Sequence, residues 1–247
     1  MKSAFAVLAV AGTVSGAAAQ SFIDPNLPGT TDFDGWDNLT VSNPQVANAN
    51  PAFPDFLTAA NPWPEAIESV LTQGTPGALD DDATGNATFD KTSGFGYPAS
   101  VSIYSTPFGN GTYNVSDDDI IAGLETVVFQ IRIGEGSAGT LAGDPTLTIN
   151  GTTTVPLFEG GSTGIEIIPN PFGGGTIGVP TFGYQWDVSG LGPINSIDVD
   201  FDTAGTSTTI FALQLDQGSQ FVDINIPTPG SLALLGMGGL VAARRRR

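Results

Sequence analysis

The stretch ETVVFQIRIGEG, residues 125–136, decides the fold. Val127, Phe129, Ile131 and Ile133 alternate with Val128, Gln130 and Arg132. This period of two belongs to a strand with one face in a core. The pattern recurs outward in ASVSIYS (99–105), PTLTING (145–151), TGIEIIP (163–169), FGYQWDVSG (182–190), NSIDVDFD (195–202) and TTIFALQLDQ (208–217). Seven or more such strands, punctuated by turn residues and without alternating helices, predict an all-β protein. The architecture expected is an antiparallel β-sandwich of the jelly-roll kind.

The flanks read differently. Residues 20–78 are rich in Pro, Asn and Asp and predict an irregular lead-in lying on the core, with only FDGWDNLTVS (33–42) strand-like. PEAIESVLTQG (64–74) predicts a helix, since Ile67, Val70 and Leu71 share a face between Pro64 and Gly74. Two stretches predict long loops, NPFGGGTIG (170–178) and the acidic GTPGALDDDATGNATFDKTSG (74–94). The run Gly173 to Gly175 lacks the lysine and the strand-to-helix setting of a phosphate loop. The triplets that start at Asn38, Asn86, Asn110, Asn114 and Asn150 have the form of glycosylation acceptors but are read as turns.

Composition excludes whole classes of chemistry. The 247 residues contain no Cys and no His. A Ser-His-Asp or Cys-His apparatus is therefore absent, as are the usual ligands of zinc. Without disulfides, stability must come from a buried core, which a body of about 200 residues can supply. The chain has 25 acidic residues, and between Lys2 and the terminal arginines its only cations are Lys91 and Arg132, so the body carries −23. Nucleic acid is excluded as a partner, because that binding is driven by Lys and Arg on phosphates.

Among the acids, Asp198, Asp200 and Asp202 alternate on one strand face. Same-face neighbours stand about 6–7 Å apart, too far for all three to hold one Ca²⁺ at about 2.3–2.6 Å unaided. A solvated acidic face is the plain reading, with weak divalent-cation binding as the second. The runs Asp80 to Asp82 and Asp117 to Asp119 predict loops, and neither follows the EF-hand pattern. A calcium ion tying such a loop is the one cofactor considered, with no ligands committed. Trp36, Trp63, Tyr97, Tyr104, Tyr113, Tyr184 and Trp186 could form a platform for stacking sugars, Trp36 and Trp186 being the named candidates. The competing reading places most of these rings in the core. No catalytic residues are assigned.

Both ends carry addresses. MKSAFAVLAVAGTVSGAAAQ has one cation, an apolar stretch from Ala4 to Val14, and Ala17 and Ala19 before Gln20. This is the layout of a secretory signal peptide over 1–19, with a mature start near Gln20. The other end, NIPTPGSLALLGMGGLVAARRRR, has an uncharged segment at 231–243 followed by Arg244, Arg245, Arg246 and Arg247. As a helix that segment would rise roughly 20 Å, at about 1.5 Å per residue, against a hydrocarbon core of about 30 Å. It is a marginal anchor, and the arginines would stay cytoplasmic.

This tripartite tail, residues 226–247, resembles the PEP-CTERM sorting signal. The matching residues are Pro227, Thr228, Pro229 and Gly230, then the apolar helix, then the basic cluster, with Thr228 in place of the Glu that names the family. FDGWDNLTVSNP, GLETVVFQIRIGE and QWDVSGLGPI look like segments of uncharacterised PEP-CTERM proteins of planctomycete type. The resemblance implies export, transient inner-membrane retention and processing by an exosortase-type enzyme, in the company of exopolysaccharide. The function expected for the extracytoplasmic domain, 20–225, is that of a non-enzymatic cell-surface or extracellular-matrix protein. A carbohydrate-binding, lectin-like module is the alternative, and a secreted glycoside hydrolase or lyase the third.

Overall fold

Val127, Phe129, Ile131 and Ile133 do face a core, and all four are fully buried. The computed structural model describes residues 22–37, 39–43, 46–47, 49, 62–69, 85–100, 102–105, 109–134, 140–170, 173–205 and 207–226. Among these, thirteen strands form two antiparallel sheets packed as a sandwich. The seven-stranded sheet runs β10 (Glu159–Pro169), β11 (Thr176–Asp187), β7 (Thr126–Gly134), β13 (Thr209–Gly218), β5 (Ile103–Tyr104) and β4 (Tyr97–Pro98). Here β1 (Thr31–Trp36) shares the edge of β13 that β5 leaves open. The six-stranded sheet runs β2 (Ile67–Glu68), β3 (Thr88–Gly94), β6 (Gly111–Asp117), β12 (Ile197–Asp202), β8 (Thr146–Ile149) and β9 (Thr153–Val155).

The core between the sheets is aromatic at its centre. Phe89, Tyr113 and Phe201 stack across β3, β6 and β12, with Tyr113 and Phe201 rings 5.4 Å apart. Phe129 meets Phe201 from the opposite sheet at 5.5 Å, and Trp63 sits edge-on to Phe89 at 5.3 Å. Aromatic pairs at these spacings add about 0.5–1.5 kcal/mol each beyond area burial.

Several sequence expectations give way to strand pairing. Ile67 and Glu68 form a short strand instead of a helix, because Ile67 pairs with Phe89 and is fully buried in the core. The acidic stretch expected to be a loop contains β3, whose Phe89 and Lys91 point inward. Asn114, read as a turn, lies within β6 and donates to Asp200 Oδ1 at 3.0 Å. In the glycine-rich stretch Asn170 N donates to Gly175 O, and Thr176 already begins β11. Asn150 and Gly151 do make a turn, joining β8 to β9 with φ of 51° and 65°. Asn38 lies outside the described residues. The lead-in is less irregular than expected, since β1 and β2 within it belong to the two sheets.

A further difference concerns the outer face of β7. Val128 and Gln130 were placed outside, yet both are fully buried. Extended segments from each end of the described chain cover them. Gln130 binds the lead-in by accepting from Ile23 N and donating to Ile23 O, each at 2.9 Å. Gln185 does the same for the far end, donating to Val222 O and accepting from Ile224 N. Each amide thus imitates the donor and acceptor of a neighbouring strand, which is why a polar residue belongs at a buried position.

The two body cations both have partners within the fold. Lys91 is buried, its Nζ donating to Gly94 O at 3.1 Å, and Arg132 forms an ion pair with Glu166. Among the described residues no helix is long and apolar enough to cross a membrane.

Candidate metal centre

Asp32 and Asp34 are two apart on β1 and therefore share a face. The β1–β13 register sets them opposite Gln217 and Leu215, on the side that looks toward the six-stranded sheet. Asp117 ends β6 in that sheet. One carboxylate oxygen from each of Asp32, Asp34 and Asp117 lies within 4.8 Å of the others. Asp34 and Asp117 are 1% and 2% exposed, so two of the three charges have left water.

The surroundings hold these groups in place. Asp34 Oδ1 accepts from Ala87 N at 3.0 Å, while its Oδ2 is buried with no hydrogen-bond partner. Gly85 lies flat against this carboxylate, and a Cβ there would sit 2.1 Å from Oδ2. Asp117 Oδ1 accepts from Asp119 N at 2.8 Å, and Oδ2 accepts from the Gln217 side-chain amide. Gln217 Oε1 in turn accepts from Ile121 N at 3.2 Å. A small cleft of about 190 Å³, bordered by Asp24, Asn26, Thr31, Asp32, Asp216 and Gln217, reaches the cluster at half-buried Asp32.

Electrostatics make the cluster costly when fully ionised. At an effective dielectric of about 20, two like charges no more than 4.8 Å apart repel by about 3 kcal/mol or more. Burial pushes the Asp34 carboxyl up to about 6, opposed by the Ala87 amide and by nearby Ser69, whose hydroxyl donates to Gly85 O, and reinforced by Asp32 and Asp119. Burial likewise pushes Asp117 up to about 7, opposed by the Asp119 amide and reinforced by Asp34 and Asp32. Such a site is calm only when something positive joins it, whether a proton or a cation.

The residues expected from sequence fall elsewhere. Asp198, Asp200 and Asp202 line the outer face of β12, Asp200 and Asp202 exposed and Asp198 half-buried, beside Ser, Thr and Asn of β6 and β8. They make a solvated polar face, and among the described residues the sole three-carboxylate group is Asp32, Asp34 and Asp117. The 117–119 run was expected to be a loop, but Asp117 closes a strand and turns inward. Asp80 to Asp82 lie outside the described residues, as do Ala17, Ala19, Gln20, Pro227, Thr228, Pro229, Gly230 and Arg244 to Arg247.

Five of the seven rings considered for sugar stacking are core residues. Trp36, Trp63 and Trp186 are 2%, 5% and 0% exposed. Trp36 and Trp63 donate their indole N–H to Ile67 O and Gly96 O, each at 3.0 Å. Trp186 pairs with Val127 of central β7. Tyr113 and Tyr184 are buried as well, and Tyr97 and Tyr104 pack edge-to-face while half-buried. The three tryptophans, Tyr113 and Tyr184 thus belong to the core, where large rings fill the space between sheets, whereas alternation puts Tyr97 and Tyr104 on the face opposite core-facing Ile103.

The cluster is not legible in sequence, because Asp32 and Asp34 lie in a segment whose Pro, Asn and Asp content predicts a lead-in and Asp117 in a run of acids that predicts a loop. The signal available was the DFD pattern of residues 32–34, acids at a spacing that faces a core. Comparison with known proteins finds no matching family model, no similar curated protein and no similar solved structure.

Proposed function

We propose that this chain is an exported, non-enzymatic component of the cell surface or extracellular matrix. The signal peptide delivers it, and the PEP-CTERM-like tail retains it until an exosortase-type enzyme acts at 227–230. Its polyanionic exterior then associates with exopolysaccharide through bridging cations. The observation that carries the non-enzymatic part of this reading is where the chemistry-bearing side chains lie. The carboxylates of Asp34 and Asp117 are held between the sheets, closed to a polymeric substrate, and so suit a structural role. The three tryptophans are buried too, which takes away most of the support for the lectin-like alternative. Lys91 is buried and half-exposed Arg132 is paired with Glu166, so the exterior keeps its negative charge.

The test is mass spectrometry of the protein recovered from cells and from medium. A mature start near Gln20 and loss of the residues beyond Pro229 in the released form are expected. Recovery of the intact chain in the cytoplasm would refute the proposal.

A further inference from the structure

Three carboxylates drawn from two sheets, two of them out of water, require a countercharge. The described structure supplies no Lys or Arg for it, since Lys91 bonds Gly94 O and Arg132 pairs with Glu166. An independent feature points the same way: Asp34 Oδ2 is buried and accepts no hydrogen bond. A buried carboxylate oxygen left bare is rare in a folded protein and calls for an unseen partner.

We propose that Asp32, Asp34 and Asp117 bind a single Ca²⁺ that clamps β1 of one sheet to the end of β6 in the other. The inference goes beyond the surface-protein reading and does not depend on it. Geometry favours a hard cation of this size. Oxygens bound to one Ca²⁺ lie about 2.3–2.6 Å from it, so two on opposite sides stand up to about 5 Å apart. The mutual spacing within 4.8 Å fits that envelope. Mg²⁺, with its near-ideal octahedral demands and reluctance to shed water, suits a group of carboxylates fixed by their own hydrogen bonds less well. The amides of Asp119 and Gln217 orient Asp117, and Ala87 N orients Asp34, as outer-shell partners do around a metal. The cleft beside Asp32 is an entry path for an ion and its remaining waters.

Metal binding to the folded state alone raises its stability by mass action. For a site in the extracellular range of affinity, about 10⁻⁴ M, 10 mM Ca²⁺ should raise the Tm of the EDTA-treated full chain by about 5–10 °C. The shift should vanish in D34N and in D117N and persist in a D198N/D200N/D202N triple variant. In EDTA the two single variants should unfold at or above the wild-type Tm, since each removes a like charge; this separates loss of binding from loss of folding. Terbium luminescence excited through Trp36, two residues from Asp34 on the same face, gives a second readout that Ca²⁺ should quench by displacement. A wild-type Tm indifferent to Ca²⁺, a shift that survives D34N, or a response to Mg²⁺ equal to that for Ca²⁺ would overturn the proposal.

Discussion

Asp34 and Asp117 belong to opposite sheets, yet their carboxylate oxygens approach within 4.8 Å in the interior of the sandwich. Strands that share no hydrogen bond are thus coupled through charge, and the coupling destabilises the fold whenever both groups are ionised and no cation lies between them.

Gly85 should be irreplaceable while Asp34 is present. A Cβ at residue 85 would stand 2.1 Å from Asp34 Oδ2, and the carboxylate cannot swing away freely because Ala87 N holds Oδ1. G85A is expected to lose about 1–3 kcal/mol by overpacking. In the G85A/D34A double variant the clash is gone, so a urea-denaturation cycle should show strong positive coupling.

Asp216 adds a pH dependence to that of the cluster. It is buried on the outer face of β13, and burial pushes its carboxyl up to about 7, with Gln214 opposing and Asp24 and Asp34 reinforcing. A raised carboxyl pKa means that the native state binds the extra proton. Below about pH 4 both states are protonated and the group is neutral in its effect, whereas from about 4 to 7 the unfolded chain ionises first and stability falls. D216N should match wild type near pH 4 and exceed it at pH 8 by about 1–3 kcal/mol. Urea midpoints at the two pH values check this.

The glutamine straps should be separable from the core. Q130A removes both hydrogen bonds to Ile23, and Q185A removes those to Val222 and Ile224. Each should cost about 1–3 kcal/mol, because buried backbone groups lose their partners. Limited proteolysis should then cut near 22–30 in the first variant and near 221–226 in the second.

Tryptophan fluorescence should be insensitive to solvent and to sugar. With all three indoles at 5% exposure or less, acrylamide quenching should be far weaker than for free tryptophan. Saturating oligosaccharide should leave the spectrum unchanged. A sugar-dependent shift would revive the lectin-like alternative.

Period-two alternation made the all-β class and the strands β7, β8, β10, β11, β12 and β13 readable, because a half-buried strand writes its two faces into neighbouring residues. The exposed acids of β12 and the Asn150–Gly151 turn were readable for the same local reason. β3 and β6 were missed: their Thr, Ser, Asn and Asp residues resemble a loop, and only pairing with β12 and β2 makes them strands. The burial of Gln130 and Gln185 was equally hidden, since it depends on distant segments folding over the outer face.

By itself, then, the sequence determined the class of fold, the absence of thiol and imidazole chemistry, and the negative charge of the body. Tertiary structure alone decided which acids meet. Asp32, Asp34 and Asp117 are brought together by the β1–β13 register and by β6 crossing to the other sheet. Alternation reports whether a side chain faces inward, but proximity between sheets is a property of chain crossings, which no local pattern encodes.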